Sequence, residues 1–288
     1  MPLRVWKGRK GVAMKLLEWL LRTTPRLDVR PEPFGVFHMI FVAVILLLGM
    51  AMILLRRYLP KGEGNLKKML ILFGVGLLLL EMGKQIVYSY TAEGGWLYNW
   101  DRFPFQFCST PIYVALAAML LPPCKVRQAL LCFLATYSPV AGCAVLFYPS
   151  PDVFHEILFL DIHTMVWHGA MLLFGLYLWL TEAVRPTVKT GLSAAAVYLP
   201  MPCVALALNE LEMATSFAGD FTFNMFYIAR DGYCMIPILS RIQATAPYPL
   251  FFLSYVLLLG AGGSLVTAGV WVIGKVGNSA RKKQKNRD

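Results

Sequence analysis

Residues 34–55 read FGVFHMIFVAVILLLGMAMILL, a stretch with no Asp, Glu, Lys or Arg and with His38 as its one ionisable side chain. At about 1.5 Å of rise per residue, such a run crosses a hydrocarbon layer of roughly 30 Å as a single helix. Further runs free of charge follow at Phe103–Cys124, Gln128–Pro151, Ile162–Thr181, Thr190–Asn209 and Ile242–Gly274, while Met69–Tyr90 is interrupted only by Glu81 and Lys84. The strands of a membrane β-barrel are shorter and alternate in polarity, which these runs do not.

Composition agrees. The 288 residues are 58% hydrophobic and 15% charged, with a mean hydropathy of +0.59, too apolar for an ordinary soluble domain. The pattern predicts an all-α, polytopic transmembrane helical bundle of about seven spans, near 34–55, 69–90, 103–124, 128–147, 161–181, 190–209 and 249–273. A basic segment, 1–33, precedes the transmembrane domain at 34–274, and a basic tail, 275–288, follows it. Between Gly11 and Arg22 apolar residues recur at helical spacing, with Lys15, Glu18 and Arg22 on another face. That is the signature of an amphipathic helix lying on the membrane surface rather than of a signal peptide or a span. Between Glu210 and about Pro247 a longer connection carries several charges. It is expected to hold an interfacial or re-entrant helix around Phe221–Ile228, with an eighth, poor span as the alternative.

The net charge of +11 gathers at the ends of the spans, which suits anionic lipid headgroups and topology rather than nucleic acid. Arg56, Arg57, Lys61, Lys67, Lys68, Lys125, Arg127, Arg185 and Lys189 occupy alternate loops, and Glu93, Asp101, Asp152 and Glu156 the others. The positive-inside rule then places the C-terminus in the cytoplasm. One feature conflicts. Eight Lys and Arg precede Phe34, and an odd number of spans puts them on the opposite side. The six cysteines contain no CxxC pair and lie mostly in apolar runs, so a disulfide framework is not expected. The histidines at 38, 155, 163 and 168 lack a zinc-binding spacing, and neither metal nor cofactor is expected.

Chemistry concentrates near one edge of the bundle. The stretch FPFQFCSTPIY at 103–113 places Gln106, Cys108, Ser109 and Thr110 at the head of an apolar run. Counted inward from the same membrane face, Cys108 lies about 5 residues, or roughly 8 Å, deep. His168, Lys84, His38 and Asn209 fall at comparable depth on four other spans. Ionisable groups inside a membrane are costly and turn toward a cavity or toward each other. Glu81 and Lys84, three residues apart, suit an ion pair. A helix capped by Asn99 or Asp101, with Pro104 in its first turn, sets Cys108 near the positive end of the helix dipole. There a thiolate is favoured, although apolar surroundings oppose it. On the residues alone, Cys108 reads either as a packing residue or as a nucleophile with His168 as its base.

Four short elements, in order, resemble the YwaF/TMEM164-like integral membrane family. They are FPFQFC at 103–108, Glu81-Met-Gly-Lys84, Val166-Trp-His168-Gly169 and Ala246-Pro247-Tyr248-Pro249, which is similar to that family's Pro-x-Tyr entry to the last span. The segment from Gly219 to Phe226 resembles a Gly…Asn-Tyr element more weakly, because Met225 stands where the tyrosine is usual. The resemblance spans Phe34 to Trp271 and implies an enzyme that moves an acyl chain between membrane phospholipids and lysophospholipids without coenzyme A. It implies Cys108 as nucleophile and His168 as acid and base. Phe107 beside Cys108, with Ser109 and Thr110 after it, departs from the usual pattern and leaves the substrate open. Gln106, Ser109 or Thr110 would orient substrate or donate to an oxyanion, and His38, Glu81, Lys84 and Asn209 would line a polar cavity. A bacterial plasma membrane is the expected location. The alternative class is a transporter or lipid-binding membrane protein that uses the same polar residues without making bonds.

Overall fold

A computed structural model describes residues 11–91 and 95–285. The protein is a bundle of apolar helices. Six of them are long and apolar enough to cross a membrane: α2 (Val36–Leu54), α3 (Glu63–Tyr88), α5 (Lys125–Phe147), α6 (Leu158–Leu180), the continuous pair α7 (Val188–Tyr198) and α8 (Pro200–Thr215), and α10 (Tyr248–Lys285). Between α3 and α5 the chain returns through a shorter helix, α4 (Thr110–Leu120). Each passage runs antiparallel to the one before it. The site-bearing face therefore carries the start of α2, the end of α3, the starts of α4 and α6, the end of α8 and the start of α10. Among the described residues, the strand pairing is that of the two-residue β1 (Tyr90–Thr91) with β2 (Gly95–Trp96) beyond α3.

The third passage differs from the helix expected over 103–124. Only its second half is α-helical, and proline explains why. Phe103, which precedes Pro104, is extended with ψ 131°, the conformation a following proline favours. Asn99 does cap a turn, accepting from the Asp101 N–H at 3.1 Å, but that turn is a single 3₁₀ turn, Trp100–Arg102. A second 3₁₀ turn, Phe107–Ser109, leads into α4, whose first turn holds Pro111 rather than Pro104. Cys108 thus stands in the turn before the helix, not within it. Leu121, preceding Pro122, leaves the helix with ψ 141°.

The centre of the bundle is the seam between α5 and α6. Gly142 lies against the backbone of α6, where a Cβ would meet the His168 carbonyl oxygen at 2.6 Å, and Gly175 lies against Pro139, the proline inside α5. The largest core cluster surrounds this seam and includes Phe73, Phe133, Tyr137, Trp167 and Phe174.

The connection after α8 also departs from expectation. Residues 221–228 form no helix beyond the 3₁₀ turn Met225–Tyr227; a helix, α9 (Pro237–Thr245), follows later. Side-chain amides replace helical hydrogen bonds. Asn209 accepts from the Met225 N–H at 2.8 Å and donates to its carbonyl at 3.0 Å. Gln106 accepts from the Phe226 N–H and donates to the Asn224 carbonyl, both at 2.8 Å. Phe226 and Tyr227 take positive φ of 58° and 57°, a backbone region that aromatic residues rarely adopt. Irregular backbone at this depth is tolerated when protein buries it or when it lines a cavity; Phe226 is buried and Tyr227 lines the cavity described below.

The N-terminal segment docks on the same face. Its helix, α1 (Val12–Arg22), presents Leu16, Trp19 and Leu20 outward. Beyond it, the Leu27 N–H donates to the Glu156 carbonyl and the Leu158 N–H to that of Pro25. These bonds place the segment opposite the C-terminal end of α10.

Candidate functional site

A cavity of about 450 Å³ opens on that face, between the end of α3, the first half of α6, the turns before α4 and the loop after α8. Its volume is within the usual range for small-molecule sites. Cys108, Ser109, Gln106, Lys84 and His168 all line it. The five sit on three passages and meet because the turn Phe107–Ser109 packs directly on α6.

Trp167 holds that contact. Its indole Nε1–H donates to the Cys108 carbonyl at 3.0 Å, fixing the turn against α6 one residue before His168. The His168 ring is oriented from its own helix: Nδ1 lies 2.7 Å from the Thr164 carbonyl. A carbonyl only accepts, so Nδ1 carries the proton and Nε2 bears the free lone pair. That Nε2 is buried and has no hydrogen-bond partner. A neutral imidazole with a bare Nε2 and a thiol thus border one cavity, which is the composition of a nucleophile and its base.

The other expected residues divide. Ser109 is buried and borders the cavity. Gln106 borders it too, but its carboxamide is engaged in the bridge to Asn224 and Phe226. Thr110 does not line the cavity; its hydroxyl donates to the Phe107 carbonyl at 2.8 Å. Lys84 pairs with Glu81 at 2.8 Å, and Glu81 also accepts from Gln85 at 2.7 Å, so Glu81 stands behind the cavity wall rather than in it. His38 is elsewhere. Its Nδ1 accepts from the Phe34 N–H at 3.0 Å, its Nε2 lies 3.1 Å from the Leu146 carbonyl, and it packs against Phe154. Asn209 is buried in its clamp on Met225. Equal depth did not bring these last two to the site, because depth leaves the direction around each helix axis open.

Several cavity residues carry no sequence signal of their own. His163 stacks on Trp167 with centroids 5.1 Å apart and leaves its Nε2 buried without a partner. Tyr88 and His155 join α3 to the loop before α6, with Tyr88 Oη 2.7 Å from His155 Nε2. Burial, and secondarily the charges of Arg102 and Arg30, lower the His155 pKa from 6.5 to about 4, so this ring is neutral near pH 7. Arg102 lies over the Tyr88 ring at 4.7 Å. Only a His or an Arg at a span edge hinted at these, and such residues are common at membrane boundaries. Among the described residues, no group of three His, Cys, Asp or Glu is placed to hold a metal ion.

In comparison with known proteins, the TMEM164 family matches residues 33–267. No curated protein and no solved structure matches the chain.

Proposed function

The chain belongs to the TMEM164 family, and from that premise we propose that it is a membrane-embedded acyltransferase acting on phospholipids through Cys108 and His168, without coenzyme A. The observation that carries this reading is the state of His168: Nδ1–H committed to the Thr164 carbonyl, Nε2 bare, buried and bordering the same cavity as Cys108. His38, by contrast, has both ring nitrogens engaged and lies away from the cavity.

The steps balance without a redox partner. His168 Nε2 takes the thiol proton as Cys108 Sγ attacks the ester carbonyl carbon of a donor lipid. The ester C–O bond then breaks, the lysolipid oxygen takes the proton from His168, and a thioester remains on Cys108. In the second half, His168 accepts the proton of an acceptor hydroxyl, whose oxygen attacks the thioester. The C–S bond breaks and the thiol is restored by the same proton. Ser109, which borders the cavity next to Cys108, is the candidate donor to the tetrahedral oxyanion.

Purified protein supplied with a diacyl phospholipid and a lysophospholipid of distinguishable chains should exchange them without coenzyme A. Intact-protein mass spectrometry should find a hydroxylamine-labile acyl adduct on Cys108. Cys108→Ala should abolish both; Cys132→Ala, deep in the core cluster, should leave both intact apart from stability. His168→Ala should slow exchange at least about 10²-fold. A folded protein that gives neither adduct nor exchange across several lipids would defeat the enzyme reading and leave a binding or transport cavity.

A further inference from the structure

Arg102 borders the cavity with no ion-pair partner among the described residues. Its guanidinium lies over the Tyr88 ring, Cζ 4.7 Å from the centroid, and its Nε is buried with no hydrogen-bond partner. Among the described residues no Asp or Glu oxygen lies within ion-pair distance of it, whereas Lys84, the other cavity-lining Lys or Arg, is matched by Glu81 at 2.8 Å. Two carboxylates border the same space. Asp101 leaves Oδ1 buried and unpartnered, and Asp152 Oδ2 lies 3.3 Å from the Ser150 hydroxyl. Neither is paired with Arg102. A buried charged donor with no acceptor is destabilising unless a ligand supplies one.

The mounting is also that of a binding residue. The Arg102 N–H donates to the Asn99 carbonyl at 3.1 Å, and the Arg102 carbonyl accepts from the Gln85 side chain. The backbone on both sides of its side chain is therefore held, and the guanidinium rests over the Tyr88 ring. A planar fork so presented matches the oxygens of a phosphate, which it grips bidentately, better than a point charge does.

We propose that Arg102 is the anion-binding residue of the cavity and that the anion is a phosphate group. The proposal rests on the acyl-transfer reading in one respect, that the phosphate belongs to the lipid whose ester meets Cys108. In a glycerophospholipid only a few bonds separate the phosphate from the ester carbonyl, so one molecule can reach both residues within one cavity. Arg102 is then a binding and positioning residue, distinct from the groups that exchange protons.

Binding can be measured apart from turnover. Full-length protein carrying Cys108→Ala, in neutral detergent, is titrated with phosphatidylglycerol, with diacylglycerol of the same chains, and with inorganic phosphate alone. The expected result is phospholipid bound at least about tenfold more tightly than diacylglycerol, and that margin removed by Arg102→Met, which keeps an unbranched stem over Tyr88. Arg102→Lys should fall between. If inorganic phosphate alone raises the unfolding temperature, and Arg102→Met cancels the effect, the site takes free phosphate as well; if only the phospholipid responds, the headgroup is its source. Unchanged phospholipid affinity in Arg102→Met, at an unchanged unfolding temperature, overturns the assignment. Should Arg102→Met not fold, wild-type affinity in Arg102→Lys overturns it equally. The two readings fail separately: phosphate selectivity without acyl exchange in the Cys108 protein sinks only the chemistry, and exchange indifferent to Arg102 substitution sinks only this inference.

Discussion

At the scale of single residues, four histidines of one chain occupy three distinct situations. His38 has both nitrogens satisfied and acts as a packing residue. His168 and His163 each keep a buried Nε2 without a partner at the cavity. His155 sits at the mouth, bonded to Tyr88 and held neutral by burial and by nearby Arg102 and Arg30, with Asp152 opposing. The sign of its contribution to stability follows from its lowered pKa. As pH falls, the unfolded chain takes up the proton first, near pH 6.5, while the folded ring resists until about 4. Its stabilisation is therefore complete above pH 6.5 and is lost progressively down to about pH 4. Thermal unfolding in detergent should show a melting temperature that falls across this window. His155→Gln, which keeps a hydrogen-bonding group near Tyr88 and cannot ionise, should flatten part of the fall. An identical pH profile in the variant would remove His155 as its source.

At the scale of elements, the site depends on how closely α5 and α6 approach. Gly142 admits the His168 carbonyl, and Gly175 admits the ring of Pro139. Both contacts are with backbone or with a rigid ring, which cannot move aside as a flexible side-chain tip would. Gly175→Ala should consequently destabilise the protein by about 1–3 kcal/mol, the usual range for overpacking. Gly76→Ala in α3, where a Cβ would meet nothing within 4 Å, should instead be neutral or gain up to about 1 kcal/mol from helix propensity. Unfolding of both variants in one detergent decides it: equal effects would mean that the seam is looser than its geometry. The third passage shows the same dependence on local chemistry. Pro104, Pro111 and Pro122 are plain in the sequence, yet an apolar run of adequate length outweighed them when it was read as one helix. The chain resolves the conflict by keeping 103–106 irregular, and that irregularity brings Cys108 against Trp167.

At the scale of the whole molecule, the passages alternate so that the N-terminal segment and the C-terminal end of α10 lie on opposite faces. The basic N-terminal segment contradicts a simple count of charges, but specific backbone bonds to residues 156 and 158 tie it to the cavity face. From the basic loops on the other face, where Arg127 is paired to Glu63 at 2.6 Å, we propose under the positive-inside rule that this face is the cytoplasmic one. With the exposed Cys124 and Cys203 replaced by serine, an impermeant maleimide should label Asp152→Cys from outside intact cells. Arg185→Cys, on the exposed opposite loop, should react only after permeabilisation. Labelling of both from one side would refute the alternation, and reversed labelling would invert the orientation.

The helical, membrane-embedded class of this protein was settled by sequence alone. A charge-free run of about 20 residues in hydrocarbon must satisfy every backbone group within itself, so local composition suffices to dictate a helix. The same holds for the amphipathic residues of α1. Tertiary structure alone decided which polar groups meet. Depth is one coordinate, and the direction around each helix and the choice of neighbour are two more that no single segment contains. His38 and Asn209, expected at the depth of the site, are satisfied instead by Phe34, Leu146 and Met225. Arg102, His163 and Tyr227 reach the cavity from segments with no motif to announce them. The stretch at 221–228 is expected to be a helix because so long a connection is unusual without structure of its own. It is not one, because Gln106 and Asn209, more than 100 residues apart in the chain, supply the hydrogen bonds a helix would otherwise have made for itself.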